Sequence, residues 1–255
     1  MSVLFPIRCK RDGEPIVSQA NIEDICVALV KDFNPILLTE PGELDIDRFV
    51  ECYLGYDLDY QYLSSDGRYL GMCVFNDTSR VIVFNPYKNE ADYLKVKAKT
   101  IIIDNGLLED KKFEHRYRFT MGHEAGHAIL HEDYYVDDNY GEPIVQCRTV
   151  DIEGSKIVNK GKKKGSKDVK EWLEWQANRV SSSLLMPKPA VKIILESSKI
   201  SDKVIRNSFV IKDMVLTFNV SAKSAEIRLR ELGYIEKSDL TDYATIANDL
   251  IKLVS

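Results

Sequence analysis

All four histidines of this 255-residue chain lie between His115 and His131, and three share one phrase, His123-Glu124-Ala125-Gly126-His127-Ala128-Ile129-Leu130-His131. An α-helix returns residues four apart to the same side, one turn higher. In a helix, His123 and His127 therefore aim two imidazoles at one point, with Glu124 beside them. Two imidazoles so placed can share a Zn²⁺, and the glutamate between them can reach a water on it. The constraint on folding is strong. This segment has to be a helix, and a second element has to come close enough to finish the coordination. Ala125 and Gly126, both small, leave room for that approach.

Catalytic zinc usually takes three protein ligands and a water. His131 lies roughly 12 Å from His123 along an intact helix, so the two cannot hold one ion. A metzincin continuation needs Gly at 130 and His at 133, where Leu130 and Asp133 stand. The favoured third ligand is Glu174, in Glu174-Trp175-Gln176-Ala177-Asn178-Arg179, on a second amphipathic segment. Asn178 follows one turn later on the same face, where a carboxamide can orient a metal-bound imidazole. Glu171 shares nearly that face. Asp137, in Asp137-Asp138-Asn139-Tyr140-Gly141, is a further alternative, without the Gly-Thr that opens the motif of aspartate-ligand zincins.

The rest of the chain reads as alternating helical and strand segments. Ile22, Ile25, Cys26, Leu29 and Val30 recur at helical spacing from about Ser18 to Lys31. Pro35 and Pro41-Gly42 interrupt that pattern, and a second helical segment carries Ile46, Phe49, Val50 and Tyr53 up to Gly55. Strands are expected at Tyr69–Phe75, Ser79–Phe84 and Thr100–Asp104, the first two joined as a hairpin through Asn76-Asp77. The polar stretch from Glu132 to Lys167 reads as a long excursion with a short strand at Ile144–Cys147. A helix from about Asp168 to Met186, with Val169, Leu173, Val180 and Leu184 as its apolar stripe, is stopped by Pro187 and Pro189. Trp172 and Trp175 are expected as core and rim of that helix. The last 65 residues look helical, with Val210–Phe218 and Ala222–Leu232 on either side of a break at Asn219-Val220-Ser221.

Composition and charge weigh against several classes. A net charge of −5 argues against a nucleic-acid or membrane-surface role driven by bulk electrostatics. From Ser201 onward eight basic residues face eight acidic ones, a poor electrostatic footprint for duplex binding by the helical pair. Cys9, Cys26, Cys52, Cys73 and Cys147 are odd in number and form no Cys-x-x-Cys, as expected of reduced cytoplasmic thiols. No segment resembles a signal peptide or spans a bilayer, so a cytoplasmic location is expected. The lysine run from Lys156 to Lys170 reads as a solvated loop.

Phe119-Thr120-Met121-Gly122 leading into the histidine phrase, Glu174-x-x-Ala177-Asn178, and Leu184-Leu185-Met186-Pro187 together resemble the ImmA/IrrE family of zinc metallo-endopeptidases. Phe218-Asn219-Val220-Ser221 and Arg228-Leu229-x-x-Leu232-Gly233-Tyr234-Ile235 look like that family's C-terminal segment, so the resemblance covers roughly residues 100 to 235. It implies His123, His127 and Glu174 as zinc ligands and Glu124 as catalytic base. It also implies that the substrate is a specific regulatory protein, often a helix–turn–helix repressor. Ser181-Ser182-Ser183 departs from the Phe-Ala-Ala common in members.

The expectation is an α+β, zincin-like metallopeptidase domain over 1–190, its small antiparallel sheet packed on the motif helix, followed by a helical, helix–turn–helix-like subdomain over 191–255. One Zn²⁺ would activate water for peptide hydrolysis, with Glu124 taking its proton. His131, Tyr134, Tyr135 and Tyr140 are all near enough in sequence to stabilise the oxyanion. The competing reading is a non-proteolytic zinc-containing regulator that acts by protein or DNA binding.

Overall fold

The computed structural model describes residues 7–10, 13–136, 144–148, 166–236 and 238–253. It is mixed α and β, with six strands among the described residues: β1 (Asp57–Gln61), β2 (Tyr69–Val74), β3 (Thr78–Asn85), β4 (Glu90–Val96), β5 (Thr100–Asp104) and β6 (Ile144–Arg148). Leu70 to Val74 form a run without polar alternation, as suits a strand covered on both faces. β2 is central accordingly, with buried residues from Leu70 onward, in a four-stranded sheet of order β1-β5-β2-β6. β5 is buried from end to end beside it.

Two expectations about the sheet are corrected. It is not purely antiparallel: β1 runs parallel to β5, with Asp57 opposite Thr100 and Gln61 opposite Asp104. Nor do β2 and β3 form a hairpin. β3 pairs instead with β4 in a separate two-stranded ribbon, turned through Asn89 at φ 54°. The reason lies in Asp77. Its carboxylate accepts the Ala98 N–H at 2.9 Å and pairs with Lys97 at 3.0 Å, which makes the Asn76-Asp77 link a crossing tied to the segment after β4. Val81, Val83 and Val96 of the ribbon join Leu63, Met72, Val74 and Ile102 in one apolar cluster.

The helices are α1 (Gln19–Phe33), α2 (Ile46–Arg48, continued as a π-helical turn Phe49–Leu54), α3 (Glu114–Leu130), α4 (Glu132–Val136), α5 (Ser166–Leu185), α6 (Lys188–Ser197), α7 (Lys203–Phe218), α8 (Ala222–Glu231) and α9 (Tyr243–Lys252). Gly55 ends the π-helical turn at φ 76°, a left-handed conformation that favours glycine. The motif helix α3 lies on β2 and β5. Among the described residues no helix is long and apolar enough to cross a membrane. Trp172 and Trp175 are not core and rim: they stack on each other with ring centroids 4.6 Å apart, Trp172 exposed and Trp175 half-buried.

The chain divides into two compact units, each discontinuous in sequence. Met1–Ile22 with Ile46–Ser181 hold both sheets and the motif helix, while Glu23–Asp45 with Ser182–Ser255 form a helical unit. Inside the helical unit Asp202 caps α7 and Ser221 caps α8, with Asn219 left-handed between them at φ 53°. Its core holds a buried ion pair. Arg228 donates to both carboxylate oxygens of Glu23 and, through Nε, to the Met186 carbonyl at 3.0 Å, and Ser183 Oγ donates to Glu23 at 3.1 Å.

Candidate metal centre

α3 is buried around nearly its whole girth, with every residue from Thr120 to Ala128 out of solvent. A buried helix bearing histidines and a glutamate needs partners for each of those polar groups. It obtains them from α5. Gly126 permits the approach: a Cβ there would fall 2.9 Å from both Cα and O of Ala177. Gly122 sits against Ser181 in the same way, and Ser181 Oγ donates to the Phe119 carbonyl at 2.9 Å. The small Ser181 thus belongs to the close crossing of these helices.

The crossing sets Glu174 against the two imidazoles. His123 Nε2 and His127 Nε2 stand 3.0 Å apart, Glu174 Oε2 is 3.2 Å from the first, and Glu174 Oε1 is 3.7 Å from the second. A tetrahedral cation with bonds near 2.1 Å holds its ligand atoms about 3.4 Å from one another. The observed separations bracket that value. Both Glu174 oxygens are buried and, among the described residues, meet only these imidazoles, which turns the carboxylate's lone pairs to the same point. His123, His127 and Glu174 could therefore hold a metal ion, and among the described residues no other His, Cys, Asp or Glu joins their group.

The remaining imidazole nitrogens are engaged. His123 Nδ1 lies 2.9 Å from Asn178 Oδ1, the partner expected from sequence. An amide oxygen only accepts, so Nδ1 carries the proton and the Nε2 lone pair faces Glu174. His127 Nδ1 lies 2.8 Å from His131 Nδ1. Burial pushes the imidazolium of His127 down, against the opposing pull of Glu174. Burial, and then His127, push that of His131 down to about 3. Glu174 is driven up by its own burial, yet His127 and His123 outweigh this and hold its carboxyl well below the usual range. One carboxylate and two imidazoles form a donor set matched to a divalent cation.

Glu124 is fully buried on the same helix, with its carboxylate against the backbone of β2. A Cβ at Gly71 would fall 2.6 Å from Glu124 Oε1 and 2.8 Å from Thr120 Cγ2, so the bare backbone of Gly71 makes the space that this carboxylate occupies. Cys73, two residues on, stays a thiol: burial and then Glu124 raise it well above the usual range. It lies outside the donor group.

The other expected residues fall apart. Glu171 is exposed. Tyr135 stacks on Phe75 at 5.2 Å and Tyr134 meets Tyr135 edge-on at 5.0 Å. His131 caps α3 and holds Gln176 as well as His127, so it packs among the supports of the site. Asp137, Tyr140 and the lysines from Lys156 to Lys164 lie outside the described residues. Sequence reasoning missed Gln176, Gly71 and the Pro15 carbonyl. Only Gly71 left a local trace, as a glycine inside an apolar strand, which often marks close approach of another group.

No protein-family model matches the chain, and no curated protein matches it at a significant level.

Proposed function

We propose that this chain is a zinc-dependent endopeptidase with His123, His127 and Glu174 as ligands and Glu124 as general base. The observation that carries the reading is the buried three-donor group, each imidazole directing its Nε2 to the same point, with Glu124 one residue from a ligand. Two imidazoles and one carboxylate favour zinc over harder cations. Held by His123, His127 and Glu174, zinc would supply Lewis-acid polarisation of a peptide carbonyl and of a water. Glu124 receives the proton of that water on its carboxylate and returns it to the departing amine. Gly71 keeps the strand clear of that carboxylate, and Asn178 keeps the His123 lone pair aimed.

The resemblance to the ImmA/IrrE family supports a specific regulatory protein as substrate, with a helix–turn–helix repressor as the leading class. A non-proteolytic regulator would keep its zinc for structure, in a site closed by four protein ligands. Glu124, buried one residue from His123, is the feature that favours the catalytic reading.

The test uses full-length protein loaded with Zn²⁺ and the product of the neighbouring reading frame as probe substrate, beside a mixed peptide library. Cleavage that requires the metal and vanishes in Glu124→Gln, with stoichiometric zinc retained, is the expected result. Undiminished cleavage by Glu124→Gln removes Glu124 as base, and full zinc retention by Glu174→Ala removes Glu174 as ligand.

A further inference from the structure

Gln176 is fully buried, and its two polar ends serve different partners. Nε2 donates to the Pro15 carbonyl at 3.2 Å, while Oε1 lies 2.9 Å from His131 Nε2. A backbone carbonyl only accepts, so the orientation of this amide is chemically fixed. Its oxygen in turn only accepts, so His131 must carry its proton on Nε2. A neutral imidazole protonated there has its lone pair on Nδ1. That lone pair faces His127 Nδ1 at 2.8 Å, so His127 must donate from Nδ1 and keep its own lone pair on Nε2. Each step leaves one assignment.

We infer that Gln176 and His131 are positioning residues which, anchored on the Pro15 carbonyl, set the tautomer of His127 and so prepare its Nε2 to bind a cation. The inference rests on the metal reading of the His123/His127/Glu174 group and extends it to a segment far away in sequence. The two ligand histidines are thus set by different routes. His123 is oriented by Asn178, from the helix that supplies Glu174. His127 is oriented through three groups that end on the N-terminal segment.

That segment holds its carbonyl firmly. Pro15 forms an antiparallel bridge to Cys9, Ile16 N–H donates to the Arg8 carbonyl at 2.7 Å, and Lys10 N–H donates to the Glu14 carbonyl at 2.8 Å. Gly13 turns the loop between them at φ 80°. Pro15 is itself buried.

The experiment needs no substrate. Long-range ¹H–¹⁵N spectra of the full-length, metal-free protein read the His127 tautomer directly, and chelator competition reads Zn²⁺ affinity. Gln176→Met keeps the bulk of the side chain and removes the anchor, and His131→Phe removes the acceptor. The wild-type protein is expected to show His127 protonated on Nδ1. Each variant is expected to bind Zn²⁺ about 10- to 100-fold more weakly, the usual effect of losing an outer partner of a ligand. The double variant should bind no more weakly than His131→Phe alone, because Gln176 acts through His131. A purely structural role would instead give additive losses and leave the tautomer unchanged. A wild-type His127 protonated on Nε2, or wild-type affinity in Gln176→Met, overturns the inference. Should both variants fail to fold, the wild-type spectrum still decides it. Absence of peptidase activity would count against the proposed function and leave the tautomer result standing.

Discussion

Gly126→Ala tests whether the metal centre depends on the close crossing of α3 and α5. On an isolated helix this change stabilises, by about 1 kcal/mol, because alanine is the better helix former. Here the added methyl would fall 2.9 Å from Ala177 Cα and O and 3.1 Å from Val180 Cβ, where ordinary contact begins at 3.4 Å. The obstacle is largely backbone, so α5 has to retreat by about 0.5 Å, and overpacking of this kind costs about 1–3 kcal/mol. The two effects together predict a net stability loss between about zero and 2 kcal/mol. The functional effect is larger. Glu174 sits one turn before Ala177 and moves with it, whereas a coordination bond tolerates only about 0.2 Å. Zn²⁺ affinity should fall by at least about tenfold, on the scale seen when a metal site loses its support. Urea denaturation of the metal-free protein gives the first quantity and chelator competition the second. A Gly126→Ala protein stabilised by its full helix propensity, with unchanged Zn²⁺ affinity, would refute the reasoning.

Three further outcomes are expected. Gly71→Ala places its Cβ 2.6 Å from Glu124 Oε1, a flexible end that can swing aside, so zinc should be retained while peptide cleavage drops at least about tenfold in kcat with little change in KM; equal zinc and unchanged kcat would sink the assignment. Arg228→Met strands the buried Glu23 carboxylate and should cost about 3–5 kcal/mol in chemical denaturation, whereas pairing it with Glu23→Leu should recover much of the loss; equal destabilisation by single and double variants would count against the ion pair. His131 takes a proton near pH 6.5 when unfolded and only near 3 in the fold, so the unfolded chain binds more protons between those values. The metal-free protein should therefore lose stability as pH falls through that window, by up to about 1 kcal/mol per pH unit from this group, and His131→Phe should flatten the slope; an identical slope in both proteins would contradict it.

What the sequence disclosed was local. The four-residue spacing of His123 and His127 is a property of any helix, and the small residues between them signalled a close neighbour before that neighbour was visible. Glu174 and Asn178 were legible for the same reason, since a one-turn offset needs no tertiary information. Strand pairing was not legible. Leu70 to Val74 and Val81 to Phe84 are both apolar enough for strands, but which edge each one meets is decided by burial: β2 is covered from Leu70 onward, while β3 alternates and takes β4 as its partner. β4 itself, with its acidic start and exposed side chains, offers no periodic signal and is a strand because β3 supplies the ladder. The parallel match of β1 to β5 spans more than forty residues, which no window of the chain can register. Gln176 was passed over because its importance arises from a carbonyl 161 positions earlier.

The pairing of Glu23 with Arg228 joins points 205 residues apart. At a synthesis rate of about 5–20 residues per second, roughly 10–40 seconds separate the translation of one partner from that of the other. Through that interval the second half of the first helix cannot settle against its native neighbours, and its carboxylate stays in water. Maturation of the helical unit is therefore delayed until the stretch that carries Arg228 has left the ribosome, and a nascent chain interrupted before that stretch would offer α1 to chaperones and proteases.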